Sequence, residues 1–134
     1  MTPIEGTKRA LIRGWLTKAD EDLAVAEYLV SSDRPYFGAV GFHAQQAAEK
    51  YLKAFLVYHQ VEFPKTHDLD KLLDLAAKVA EPLANALREA TMLSVYGVET
   101  RYPADLPDLT LLQAQEALDL AAKVRNAVRN AING

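Results

Sequence analysis

The chain has 134 residues; half of them are hydrophobic, a quarter are charged, and the formal net charge at pH 7 is −3. This composition fits one globular domain and argues against a disordered chain. The absence of cysteine excludes a disulfide framework, a thiolate nucleophile and a Cys-ligated zinc site. The acidic balance disfavours binding to nucleic acid through overall charge but leaves room for a local basic patch.

Neither a leader nor a membrane span is indicated by the sequence. Residues 1–10 are polar and charged and lack the apolar stretch of a signal peptide. No window approaches the roughly 20 apolar residues that a transmembrane helix needs. We therefore expect a cytoplasmic protein without membrane contact, folded as a single helical domain over residues 1–134.

The hydrophobic pattern of the first half predicts two long helices. Apolar residues recur at three- and four-residue steps over residues 8–31, and a longer helix is predicted over residues 36–60. Thr66 is a candidate N-cap for a short third helix over residues 67–78. These connections are short, which is typical of antiparallel neighbours in an up-down bundle.

The second half completes an all-α bundle of about five helices. Pro82 lies at the start of a fourth helix that extends to about residue 96, and a polar loop follows over residues 97–108. Thr110 and Gln113 have the spacing of a capping box that opens a last helix ending near residue 132. No segment shows the strict alternation of a half-buried strand.

The second helix divides into an apolar and a polar half. At about 100° per residue, one half carries Ala44, Ala47, Ala48, Tyr51, Leu52 and Phe55. The other half carries His43, Gln45, Gln46, Glu49, Lys50 and Lys53. One interpretation is a solvated face, with Glu49 and Lys53 as an i,i+4 ion pair. The other is a contact surface on which the lysines and amides bind a partner or a phosphate.

Other candidate residues lie in the loops. Thr66, His67 and Asp68 are explained by helix capping and by the helix dipole, with His67 as a surface residue of the first turn. Arg101 and Tyr102 allow two interpretations. The arginine pairs with a nearby carboxylate while the tyrosine packs on the bundle, or the two bind a phosphate and a base. The three histidines lack a metal-ligand spacing, so we expect no metal site and no cofactor.

Four segments in this order resemble one known family. They are the set Trp15, Ala19, Asp22, Leu23 and Ala26; the run from Phe42 through Gln45-Gln46-Ala47-Ala48-Glu49-Lys50 to Lys53-Ala54; Thr66-His67-Asp68-Leu69; and Arg101-Tyr102-Pro103. Together they resemble the HEPN domain (higher eukaryotes and prokaryotes nucleotide-binding), over residues 8–128. The resemblance implies an up-down helical bundle that forms a homodimer. It also implies a prokaryotic protein that is often encoded beside a minimal nucleotidyltransferase as a toxin–antitoxin pair.

Many members of that family are metal-independent RNases with an arginine followed, after four to six residues, by a histidine. Here no histidine has an arginine at that spacing before it, and no histidine follows Arg101. Arginine stabilises phosphorane charge but stays protonated, so it cannot replace the histidine as a base. The sequence therefore predicts no catalytic residue of the family's kind.

Three hypotheses follow. The first is a non-catalytic HEPN protein that binds a nucleotide or RNA and acts with a nucleotidyltransferase partner. By resemblance, its phosphate and base contacts would be Lys50, Lys53, Arg101 and Tyr102, with further polar contacts from His43, Gln45, Gln46, Glu49, His67 and Asp68. The second is an RNase toxin with a non-standard site, and the third is a purely structural dimerisation domain.

Overall fold

The computed structural model describes residues 3–33, 36–97 and 109–133, with the side chains of Pro3 and Ile4 excepted. Every regular element in these ranges is a helix, which confirms the predicted all-α fold. The α-helices are α1 Pro3–Val30, α2 Phe37–Tyr58, α3 Leu69–Ala77, α4 Glu81–Ala86 and α5 Leu111–Asn133. A 3₁₀ helix, Arg88–Gly97, follows α4.

Helix α2 is the centre of the bundle. It packs most extensively against α1 and α5, and its other contacts are with the 3₁₀ helix and α3. The predicted apolar half is confirmed, since every one of its six residues is fully buried. Alanine at positions 44, 47 and 48 lets the neighbouring helices approach closely, while Tyr51 and Phe55 fill the volume between them.

A hydrogen-bonded cluster ties α1, α2 and α5 together beside this core. The hydroxyl of Tyr51 donates to Asp20 Oδ1 at 2.5 Å, and Arg129 Nη2 donates to Asp20 Oδ2 at 2.6 Å. Burial, and then the neighbouring carboxylate, raise the pKa of Tyr51. The phenol therefore stays protonated and serves as a permanent donor between α2 and α1.

The start of the third helix differs from the prediction. Asp68, and not Thr66, is its N-cap: the Asp68 carboxylate accepts from the backbone N–H groups of Asp70 and Lys71. Thr66 Oγ1 instead accepts from the backbone N–H of Asp68 at 3.1 Å. Because Asp68 has extended backbone angles, the helix begins at Leu69, two residues beyond the predicted start.

The predicted fourth helix is in fact two elements. The α-helix ends at Ala86, and the chain continues as the 3₁₀ helix from Arg88. Leu87, Ala90 and Leu93 are buried at three-residue steps, and this is the period of a 3₁₀ helix. The tighter winding therefore places one stripe of apolar residues against α2.

Helix α5 begins with the predicted capping box. Gln113 Oε1 accepts from the backbone N–H of Thr110 at 2.9 Å, and Thr110 Oγ1 accepts from that of Gln113 at 3.1 Å. This prediction is confirmed, because two backbone donors that the helix leaves free are both satisfied. In the described part of the chain, none of the helices has the length and apolar character that a bilayer crossing requires.

Candidate functional site

The polar half of α2 is not a solvated face. Gln45 is fully buried, Glu49 is 2% exposed and Lys53 is 7% exposed. The solvated-face interpretation was therefore wrong for these three residues, although the predicted Glu49–Lys53 ion pair is present at 3.0 Å. A buried carboxylate is costly unless several donors surround it.

Glu49 has three such donors. Its Oε1 lies 2.8 Å from His67 Nδ1 and accepts from Gln45 Nε2 at 3.2 Å, while Oε2 accepts from Lys53 Nζ. Gln45 Nε2 also donates to the backbone carbonyl of His67 at 3.1 Å. We call Gln45, Gln46, Glu49, Lys53 and His67 the Glu49 cluster. It fastens the segment before α3 onto the middle of α2.

Lys53 lies inside this cluster. Its ammonium group is 5.3 Å from the ring centroid of Trp15 and 5.9 Å from that of Phe63. Cation–π contacts with two rings and an ion pair with Glu49 compensate the lost hydration of the ammonium group. Lys53 is thereby enclosed by protein groups.

His67 is the exposed member of the cluster. Its side chain is 75% accessible, whereas that of Glu49 is 3% accessible. An ionised carboxylate can only accept, so the hydrogen bond to Glu49 assigns the proton to Nδ1 of a neutral His67. Nε2 is then the ring nitrogen whose lone pair is available to solvent or to a ligand.

A cavity of about 770 Å³ lies beside His67. Its lining residues come from α2, the segment before α3 and the 3₁₀ helix: Phe42, Gln46, Thr66, His67, Asp68, Ser94 and Gly97. Ligand sites in proteins have about 300–1,000 Å³. The described lining combines one aromatic ring with an amide, two hydroxyls, an imidazole and a carboxylate, and it contains neither lysine nor arginine.

Two features connect the cavity to the cluster beneath it. Gln46 Nε2 donates to Gln45 Oε1 at 2.7 Å, so one lining amide is held by a buried one. Gly97 lies so close to Gln45 that a Cβ at this position would be 2.5 Å from Gln45 Cδ. Ser94 Oγ is buried and has no hydrogen-bond partner in the described structure.

A second polar cluster lies between α1 and α2. Asp22 Oδ2 accepts from Lys50 Nζ at 2.5 Å, and Asp22 Oδ1 lies 2.9 Å from His43 Nδ1. These three residues form the Asp22 cluster. Its side chains are 13–30% accessible, so it reaches the surface without opening into the cavity.

The structure thus separates the predicted site residues into groups. Gln45, Gln46, Glu49, Lys53, His67 and Asp68 lie at the cavity or directly beneath it, whereas His43 and Lys50 bind Asp22. Arg101 and Tyr102 lie outside the described residues. Sequence reasoning missed Phe42, Ser94 and Gly97 as lining residues, because their nearness to His67 depends on how the 3₁₀ helix packs.

The fold and this cavity define a small helical bundle with a polar site of ligand size. A family model described as the HEPN domain matches residues 12–131, and the chain belongs to this family. No curated protein and no solved structure matches the chain significantly. Among the described residues, no group of three or more His, Asp or Glu side chains could hold a metal ion.

Proposed function

We propose that this HEPN-domain protein binds a nucleotide, or a nucleotide unit of RNA, with the base in the cavity beside His67. The supporting observation is the cavity wall, where a half-buried phenyl ring lies beside amide, hydroxyl and imidazole groups. A base offers a flat apolar face together with ring donors and acceptors, so it suits such a mixed lining.

Phe42, Gln46 and His67 have distinct roles in this proposal. Phe42 contacts the face of the base, and the Gln46 amide and His67 Nε2 bind its edge. The Ser94 hydroxyl lacks a partner, and a buried polar group left unpaired costs about 1–3 kcal/mol. Rotation about its χ1 torsion would let a ligand in the cavity supply that partner.

The phosphate contact in this proposal comes from Arg101. Lys50 and Lys53, the other cations predicted for phosphate, each hold a carboxylate within 3.0 Å. Gly97 lines the cavity, and Arg101 follows four residues later, a stretch of chain that spans at most about 14 Å. Tyr102 would stack on the base or the ribose.

Equilibrium binding of AMP, GMP and adenosine by isothermal titration calorimetry tests this site. We expect micromolar binding of at least one nucleotide, with weaker binding by Gln46→Ala, His67→Ala and Arg101→Ala. Lys65→Ala is the matched control, because Lys65 is exposed in the segment before α3 and does not line the cavity. Unchanged affinity in all three site variants would refute the proposed position.

Two further parts of the proposal are supported by the family alone. They are a homodimer, and action with a minimal nucleotidyltransferase partner, as in a toxin–antitoxin pair in the cytoplasm. The adjacent reading frame tests the partner, and sedimentation equilibrium tests the dimer. A monomer at all concentrations, or an unrelated neighbouring gene, would contradict the respective part.

The alternative function is metal-independent RNA cleavage, which is favoured by the Glu49–His67 pair. A buried carboxylate that orients an exposed imidazole is the arrangement of a general base. His67 Nε2 would take the proton of a 2′-hydroxyl, whose oxygen attacks the adjacent phosphorus. A 2′,3′-cyclic phosphate would form, and the departing 5′-oxygen would take a proton from water.

Incubation of total RNA with chelator separates the two functions. Cleavage that is lost in His67→Ala, reduced in Glu49→Gln and lost in Arg101→Ala would favour the enzyme. Nucleotide binding without cleavage in the same preparation would favour the non-catalytic function. Lys65→Ala again serves as the control.

A further inference from the structure

A second groove, of about 430 Å³, lies where α1 and α5 meet the C-terminal end of α2. Its polar lining consists of Arg9, Arg13, Thr17, Asp20, Tyr58 and Arg129, above apolar side chains from α1 and α5. Gln46 at the cavity and Tyr58 at this groove are twelve residues apart on α2, or about 18 Å along its axis. The groove is therefore a separate site.

The groove is positively charged in a protein whose net charge is −3. Three guanidinium groups line it together with a single carboxylate, that of Asp20. Asp20 is already engaged, because it accepts from Tyr51 and from Arg129. The described lining thus has two positive charges in excess.

Arg9 and Arg13 differ from the other arginines of the described chain. Arg88, Arg125 and Arg129 each lie within 4.0 Å of at least one carboxylate oxygen. Arg9 and Arg13 are both exposed, and neither has such a partner among the described residues. They lie one turn apart on α1, so their like charges repel unless an anion is bound between them.

Lys8 adds a further positive charge at this end of the bundle. Its ammonium group lies 5.0 Å from the ring centroid of Tyr58, which lines the groove. Burial and, second, the charge of Lys8 lower the pKa of the neighbouring His59. Glu5, one turn before Arg9 on α1, is a nearby carboxylate that does not line the groove.

We infer that this groove binds adjacent phosphate groups of a phosphodiester or polyphosphate chain. The planar guanidinium group matches two phosphate oxygens at once, and arginines from two helices can hold neighbouring phosphates. Thr17 supplies a hydroxyl donor at the same wall. The inference does not depend on the base-binding cavity, which uses other residues.

Fluorescence anisotropy with a labelled eight-nucleotide RNA, and competition by tripolyphosphate, test the groove. We expect Arg9→Gln with Arg13→Gln to weaken RNA binding about tenfold or more in 50 mM salt. The slope of log Kd against log salt should fall by about 2, one for each lost phosphate contact. Both residues are exposed, so the double variant should fold normally, as circular dichroism can verify.

The matched control is Lys18→Gln with Lys71→Gln, which removes the same charge from exposed positions outside the groove. Its RNA affinity should stay within about twofold of the unmodified protein. Competition by tripolyphosphate at similar concentration would identify phosphate density as the recognised feature, and poor competition would identify a phosphodiester chain. Equal losses in both double variants, or no binding of either probe, would overturn the inference.

Variants of the cavity keep this result distinct from the proposed base-binding site. His67→Ala should leave the salt slope of RNA binding unchanged if the groove provides the phosphate contacts. A salt slope that fell in His67→Ala and not in the arginine variant would place the phosphates at the cavity and refute the groove.

Discussion

The Glu49 and Asp22 clusters use the same residue types in two different ways. Each has one carboxylate that binds one lysine and one histidine. At Glu49 the carboxylate and the lysine are buried and the histidine is exposed beside a cavity. At Asp22 all three side chains are partly accessible, and the cluster connects α1 to α2. Residue type alone therefore does not define a site; the depth of the carboxylate and the space beside the histidine do.

The largest expected effect comes from removing the buried carboxylate. Glu49→Ala should lower the free energy of unfolding by about 3–5 kcal/mol, because Lys53 would remain as a buried charge without its counter-ion. Urea denaturation measures the change. Glu49→Gln, which keeps the size and part of the hydrogen bonding, should lose less. A loss no greater than that of Asp22→Ala would contradict the distinction between the clusters.

A smaller effect is expected from Gly97→Ala. The added methyl group would meet the buried Gln45 carboxamide, which also binds Glu49 and the backbone of His67. We expect a loss of about 1–3 kcal/mol, as in other overpacked interiors. Gly14→Ala is the control, since a Cβ at Gly14 would meet nothing within 4 Å. Equal unfolding midpoints for these two variants would show that the approach of Gly97 to Gln45 is unimportant.

Removal of the more accessible carboxylate should cost less than either change. Asp22→Ala is expected to lower stability by about 1 kcal/mol, because Lys50 and His43 are then free to become hydrated. Nucleotide binding at the cavity should be unaffected. A loss of nucleotide affinity in Asp22→Ala, measured by calorimetry, would show that the two clusters are coupled.

The third histidine should have the smallest effect. His59 faces Lys8 and the rings of Phe55 and Tyr58, and burial followed by the charge of Lys8 lowers its pKa. With a folded pKa below the unfolded value near 6.5, stability is present above that value and is lost as the pH falls through it. His59→Gln should remove this part of the pH dependence. An unfolding midpoint that varied identically with pH in both proteins would exclude it.

The extent to which the sequence predicted the structure differs between local and long-range features. The capping box of Thr110 and Gln113 and the apolar half of α2 are set by spacings of three and four residues, and both were predicted correctly. The cap of α3 was placed at Thr66, two residues too early, because threonine and aspartate both suit this position and only the backbone angles at Asp68 decide. The 3₁₀ winding after Ala86 was missed, since it follows from packing against α2.

The sequence by itself determined the all-α fold, the central helix, the family and the absence of the family's arginine–histidine motif, because all of these depend on residue types at short spacings. Only the tertiary structure decided that Glu49 and Lys53 are buried, that His67 is exposed on a buried carboxylate, and that Ser94 and Gly97 line the same cavity. The grouping of Arg9, Arg13 and Arg129 was decided there too. These relations join residues distant in the chain, and their burial depends on which surfaces the packed helices cover.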